Sequence, residues 1–577
     1  MKKKVLSILL TSAVALSTCA CGDNAQQTEG KSGSEVNAIS SESVREPAEN
    51  SSEVTESSEE EYVPTYPICE ETITLTAQGA YTGGTYDWSD TIQFQELEKR
   101  LGIKIDTEGV YDTDAWASKK SLLFASDELP DLLLNTEMEM AEVNRYGKDG
   151  YLLDFSQYLD VMPNFVKYME DYPEWASYIT TENGEIFGIT MLSTRSVYTL
   201  NNFQIINNQW LQNLGLNQPE SLDDFYNVLK AFKEQDANLN GDPDDEIPLV
   251  MHTDSSYMRN ILWGHGIYAT SNNFIMQVDD NGQVYLADVT DNYREFLKYM
   301  NKLYSEELIN VDMFTILQEE CKALAEEGRA GAISDYGSLI SKTAAEPDDW
   351  YFQVGFTGEL NEDKIFVVKS RVSKKVAMVA SAETDYPEEI AKLVDYYFTD
   401  EGIVAAANGY EGVSFDWSEV APGAKLADHS NYSEGYATNN EYQFKKVVSG
   451  TMQFLQSNFG TLYGYLEGLS EEELMTEESV RDYNIWPAII VAFQDSDLKV
   501  VNGYPPIVYT DVESTAREAS ATDIKNYCKA ASAQFITGEA DINSDDAWNA
   551  YVKQIEDMGL ETLLKIEQMA YDRNYGN

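Results

Sequence analysis

Between residues 70 and 135 the spacing of apolar positions switches repeatedly between two periods. Thr72-Ile73-Thr74-Leu75-Thr76-Ala77 alternates like a half-buried strand. A glycine-containing loop, AYTGGTYDWSD, leads into an amphipathic stretch from Thr91 to Leu101 that predicts a helix, stopped at Gly102. Ile103 to Asp106 alternate again, Trp116 to Ser126 read as a second helix, and Asp131 to Leu134 as a short buried strand. The order βαβαβ predicts an α/β fold with mostly parallel sheets covered by helices. No GxGxxG follows the first strand, which argues against a dinucleotide cofactor.

The alternation continues downstream. Ser221 is placed to cap a helix whose first turn carries Asp223 and Asp224 and whose apolar stripe is Phe225, Val228, Leu229 and Phe232. Arg329–Ser334, Val367-Val368 and Val376–Ala380 read as strands. Glu388 to Thr399 reads as a helix with Pro387 near its first turn, and the last 50 residues as helical. Trp175, Trp210, Trp486 and Trp548 fall on expected helices and are assigned to packing.

Hydropathy behaves differently at the start of the chain. Lys2, Lys3 and Lys4 precede an apolar run from Val5 to Leu16 that is too short to span a bilayer as a stable helix, as in a secretory leader. Ala20-Cys21-Gly22 resembles a bacterial lipobox, making Cys21 the lipid-bearing N-terminus after removal of residues 1–20; Cys19, after Thr18, fits less well. Residues 22–61 contain no Trp, Tyr or Phe and are rich in Ser and Glu. Residues 21–61 are therefore expected to be a disordered acidic tether, with a reach on the order of 35 Å. The expected location is the extracellular face of a bacterial cell membrane, of the Gram-positive kind. The remaining stretch, 62–577, is too long for one core and predicts two lobes, discontinuous in sequence.

Charge narrows the partners. The formal net charge is -59, which argues against nucleic acid and anionic ligands and suits neutral ligands or cations. Beyond Cys21 only Cys69, Cys321 and Cys528 remain, too few and too widely spaced for a disulfide framework. His252, His265 and His429 show no zinc spacing and no catalytic triad pattern.

Several phrases occur together in a familiar order: FQELEKRLGIKI (93–105 region), LLFASDELPDLL, YGKDGYLLDFSQYLDVMPN, NQWLQNLGLNQPESLDDFYNVLKAF, DANLNGDPDDEIPL, YPEEIAKLVDYYFTDEG, NGYEGVSFDW, QFITGEADI and MGLETLLKIEQMAYDR. With them the chain resembles the extracellular solute-binding lipoproteins of ABC-type carbohydrate importers, in the subgroup of alginate and oligosaccharide binders. The resemblance spans the body. It implies two α/β lobes of the periplasmic-binding-protein kind joined by a hinge, closing as a monomer on an oligosaccharide and delivering it to the permease subunits of an ABC importer.

One loop carries metal-like chemistry. Asp236-x-Asn238-x-Asn240-Gly241-Asp242 matches the first half of an EF-hand loop, where side-chain oxygens at alternate positions and a glycine at the turn suit calcium. The second half departs from that pattern, with Ile247 where an EF-hand has glutamate. The resemblance implies that an acidic pair completes the shell, either Asp245 and Glu246 or Asp244 and Asp245; the former is preferred. The expected cofactor is one structural calcium held by Asp236, Asn238, Asn240, the Asp242 carbonyl, Asp245 and Glu246.

Sugars offer C–H faces to aromatic rings and hydroxyls to amides and carboxylates. Loops after parallel strands face such clefts. Trp88 with Tyr86, Tyr111 with Trp116, Trp263, and Asp335 with Tyr336 follow expected strands or loops; Glu411 and Trp417 fall in a segment that the resemblance places at the cleft. Core packing is the competing reading for each aromatic. No motif sets a nucleophile or an acid opposite a base, so the expectation is a binder and not an enzyme. A surface glycoside hydrolase or lyase, a binder of peptide or another nutrient, and a ligand sensor for a membrane kinase are the alternatives.

Overall fold

The structure is a computed structural model. It describes residues 62–576 apart from 81–86, 195–202, 336–349, 437–441, 449–451 and 457–496 and the single positions 243, 254, 354, 369, 422, 423. These residues belong to one compact unit, Glu61–Asn577.

The βαβαβ expectation holds. Strand Ile73–Ala80 pairs in parallel with Ile103–Tyr111 on one side and with Leu132–Leu134 on the other. Between them, Thr91 caps helix Ile92–Leu101 by accepting the Phe94 amide, and Gly102 ends it in the left-handed region. A side chain at Gly102 would start 2.2 Å from the Cys69 carbonyl oxygen, a second reason for glycine there. The next helix, Thr113–Ser126, begins earlier than the pattern predicts, because Asp112 accepts the Ala115 amide as its cap.

The sheet is mixed: three of its five pairings are parallel, and the two made by Val372–Ala380 are antiparallel. Its order runs Leu455–Gln456, Ile189–Ser193, Val372–Ala380, Leu132–Leu134, Ile73–Ala80, Ile103–Tyr111. Val372–Ala380 is antiparallel to both neighbours. It enters this lobe from the other one, and so runs against the strands that leave.

A second sheet orders Trp350–Phe352, Phe203–Asn207, Ala330–Asp335 and Ile247–Val250. Phe203–Asn207 is antiparallel to both its neighbours, and only Ile247–Val250 is parallel to Ala330–Asp335. Ser221 caps helix Leu222–Glu234 in a reciprocal box with Asp224, and Phe225, Val228, Leu229 and Phe232 are all buried. The chain closes with helices Asp511–Thr537, Asp545–Asp557 and Leu560–Tyr575.

The two largest of the hydrophobic cores define two lobes. One gathers residues between Leu75 and Leu192 with others between Val372 and Leu455. The other gathers residues between Ile206 and Phe356 with the C-terminal helices. Trp175, Trp210 and Trp548 pack as expected; Trp486 lies outside the described residues. Cys321 and Cys528 are buried free thiols, and burial raises the pKa of both. No helix among the described residues is long and apolar enough to cross a membrane.

Candidate ligand-binding site

The pairings put Ala80, Tyr111, Leu134 and Ser193, the carboxyl ends of four strands, at one end of the first sheet. This is also where the chain changes lobes. It leaves after Ser193 for Phe203–Asn207 and returns between Lys364–Val368 and Val372–Ala380. A third passage leads from Leu455–Gln456 to Leu498–Asn502, which pairs in parallel with Lys364–Val368. The Arg371 guanidinium donates to the Thr194 carbonyl (2.6 Å), tying two of the passages together. The described ends of these passages lie side by side, and the space facing them lies between the lobes.

The structure separates the expected site residues. Trp88, Trp116 and Trp263 are corrected to core residues, exposed by 0%, 0% and 3%. The Trp88 ring lies over Gly79, where any Cβ would start 2.8 Å from it. The Trp116 indole N–H donates to the Thr136 carbonyl (2.8 Å), and that of Trp263 to the Ala269 carbonyl (2.9 Å) while its ring packs on Phe366. None of the three has a free face for a sugar. Tyr111 is half-buried and stacks on Trp116 at 6.0 Å, the one pair of candidates among the described residues that ring contacts bring together. Glu411 is exposed, and Trp417, on hairpin strand Asp416–Ala421, is half-buried against Phe415 at 5.0 Å. Asp335 is the last residue of its strand; Tyr86 and Tyr336 lie outside the described residues.

Polar groups that the aromatic search missed stand at the same strand ends. Gln78 donates to the Glu108 carboxylate (2.9 Å), and its own Oε1 is buried with no hydrogen-bond partner. After Leu134, Asn135 and Glu137 both hold positive φ, at 47° and 54°. Non-glycine residues seldom adopt that conformation, and such strain concentrates at ligand sites. Their signal in the sequence was position alone: each follows or ends a strand.

The calcium-like loop is folded around its own oxygens. Asp236 accepts the amides of Asn240 (3.0 Å) and Gly241 (2.9 Å), and Asn240 Oδ1 accepts that of Asp242 (2.7 Å). The side-chain amides of Asn238 and Asn240 both donate to Asp245, at 3.2 and 2.9 Å. Gly241 turns the loop at φ 89°, and Asp244 is exposed at its rim. Glu246 is buried: its Oε1 accepts the Ala237 amide (2.9 Å), while Oε2 has no partner. Burial pushes the Glu246 carboxyl above its ordinary pKa. Among the described residues, no three Asp, Glu, His or Cys side chains already converge as a metal cluster. The donors are nevertheless all hard oxygens on one tight turn, and the orphaned Glu246 oxygen is what a cation would satisfy.

Residues 83–404 match the family described as bacterial extracellular solute-binding protein. The chain belongs to that family. Over 524 residues it is 24% identical to the fructooligosaccharide ABC transporter substrate-binding protein FusA of Streptococcus pneumoniae, covering 85% of this chain and 88% of FusA. It is 26% identical to lipoprotein LipO of Bacillus subtilis over 82% of this chain and 88% of LipO. Two solved structures share the fold. One is an HMO binding, ABC-transporter associated solute-binding protein of Bifidobacterium longum infantis (TM-score 0.70, 22% identity, 88% of this chain and 99% of that one). The other is the alginate-binding protein AlgQ2 without calcium ion (0.64, 18%, 88% and 99%).

Proposed function

We propose that this protein captures a neutral oligosaccharide between its lobes outside the cell and delivers it, unaltered, to the permease subunits of an ABC importer. Family membership together with a chain that passes repeatedly between two cores supports this reading. Relatives whose names specify fructooligosaccharide and HMO support the ligand class. A lipid on Cys21 holds the body at the membrane, in keeping with the likeness to a lipoprotein. Tyr111, Glu411, Trp417 and Asp335, with Tyr86 and Tyr336 from the segments beside them, remain the proposed sugar contacts. Gln78, Glu108 and the strained Asn135–Glu137 turn join them. Ligand bound only by the native chain raises its stability by about 4 kcal/mol at 1,000 times Kd. A thermal-shift screen of neutral oligosaccharides should therefore find a clear rise in Tm, with the sugar recovered at its original length. A shift with peptides alone would reject the ligand class, and shortened sugar would reject the binder reading.

The same proposal includes one structural calcium. Asp236, Asn238, Asn240, the Asp242 carbonyl, Asp245 and Glu246 would hold it, and the ion would cross-link the two ends of the loop between helix Leu222–Glu234 and strand Ile247–Val250. At calcium 100-fold above Kd the contribution is about 2.7 kcal/mol. Excess chelator is expected to lower Tm, and Glu246→Gln to reduce the calcium-dependent part. An unchanged Tm with no calcium in metal analysis would remove the ion.

A further inference from the structure

Tyr432 stands in the turn that follows the hairpin of Asp416–Ala421 and Ala424–Asp428. Its ring is held in place before any ligand arrives. The hydroxyl donates to Asp416 Oδ1 (2.9 Å), while the Asn431 side-chain amide donates to Asp416 Oδ2 (3.2 Å). The Tyr432 amide donates to the His429 carbonyl (2.9 Å), and the buried His429 ring bonds through Nδ1 to the Ser414 carbonyl (2.7 Å). That second bond ties the turn to the tight loop carrying Glu411, which the Gly412 amide closes on the Phe415 carbonyl (2.8 Å). The ring packs, together with Ile92, against Tyr442, Val447 and Val448. It is only half-buried there, so the side turned away from that cluster is open.

The same contacts place Tyr432 in the lobe. Ile92 is the first residue of helix Ile92–Leu101, which follows strand Ile73–Ala80, and so lies at the carboxyl end of that strand. The Lys446 amine donates to the Asp90 carbonyl (2.7 Å) and fastens the neighbouring segment to the same end. This is the end of the first lobe that faces the second. Glu411 and Asn431 are exposed beside the ring. The hydrogen bond to Asp416 raises the Tyr432 phenol above its ordinary pKa, and the Glu411 carboxylate adds to that rise.

From this we infer that Tyr432 is the stacking platform of a sugar subsite at the rim of the cleft, selective for an uncharged ring, with Glu411 and Asn431 taking its hydroxyls. The inference rests on the proposed capture of an oligosaccharide between the lobes. An aromatic face suits the C–H side of a sugar, a carboxylate accepts from its hydroxyls, and a side-chain amide can do either. Because Asp416 and His429 already fix the ring, little ordering remains to be done on binding. Glu411, Asp416 and Glu434 set carboxylates around the position, so a uronate there meets like charge.

Titration calorimetry on the whole chain tests this, with neutral inulin-type and malto-type oligosaccharides and with oligogalacturonides as probes. The proteins are wild type, Tyr432→Leu and Tyr432→Phe. Both variants lose the bond to Asp416 and keep apolar packing on Val447, so a difference between them reads the ring alone. Leucine is expected to weaken the best neutral probe about 5- to 30-fold, the value of one stacked ring, and phenylalanine to stay within about threefold of wild type. Equal affinities for the leucine and phenylalanine variants overturn the platform. Oligogalacturonides bound more tightly than every neutral probe overturn the selection for an uncharged ring. If no neutral probe binds wild type, oligosaccharide capture itself falls and the subsite with it, an outcome distinct from a bound probe that ignores Tyr432.

Discussion

Glu567→Ala should destabilise the folded chain by about 3–5 kcal/mol, the cost of removing one partner from a buried ion pair. Glu567, on the last helix, has no solvent exposure. It accepts from the Arg517 guanidinium (2.7 Å) on helix Asp511–Thr537, and from the hydroxyls of Tyr509 (2.6 Å) and Tyr504 (3.1 Å). One carboxylate thus joins two helices to the segment between the last strand and those helices. Alanine would strand the Arg517 charge and two phenol hydroxyls at once. Charge, more than shape, is the larger loss, so Glu567→Gln should fall between wild type and alanine. The double variant Glu567→Leu with Arg517→Met should recover much of the deficit, since the buried carboxylate and its partly buried partner leave together. Denaturant unfolding of the four proteins measures this. A loss below about 1 kcal/mol for alanine would mean that water reaches the pair and that the network is ornamental.

Local order was the most legible part of the sequence, because it rests on periodicity and caps that act over a few residues. Thr91, Gly102, Ser221 and Pro387 each end or begin a helix as read. Strand direction was less legible. Nothing within Val372–Ala380 says that it returns from the other lobe, so its antiparallel direction was not legible. The site was the least legible, for one physical reason: a tryptophan after a strand serves equally well as a lid on the core or as a platform for a sugar. The difference lies in partners far along the chain, such as Thr136 for Trp116 and Phe366 for Trp263. The orphaned oxygens of Gln78 and Glu246 and the strained turn at Asn135 and Glu137 exist only once the chain is folded. The loop after Asp236 differs, because the oxygen-bearing residues of its first half, Asp236, Asn238 and Asn240, stand at alternate positions that spacing alone reveals.

Trp88→Ala should act on stability and not on sugar. The ring is fully buried over Gly79, and the short turn Trp88–Asp90 is held by Thr91, whose hydroxyl (2.7 Å) and amide (3.0 Å) both donate to the Trp88 carbonyl. Removing a buried tryptophan costs about 3–5 kcal/mol, the lost transfer energy plus the cavity. Gly79→Val should be at least as damaging, since its Cβ would start 1.7 Å from the Leu134 carbonyl oxygen, inside the parallel pairing of Ile73–Ala80 with Leu132–Leu134. Both variants strike the same joint between the first strand and its covering turn. Oligosaccharide affinity of the folded fraction of Trp88→Ala, measured by titration calorimetry well below its midpoint, should stay within about twofold of wild type. The alternative has a different signature. A ring that stacks on the ligand contributes on the order of 1–2 kcal/mol of binding, so its loss would weaken affinity about 5- to 30-fold at unchanged Tm. That result would return Trp88 to the binding face, and would require the lobe to open a path to a ring that is sealed between Gly79 and the core.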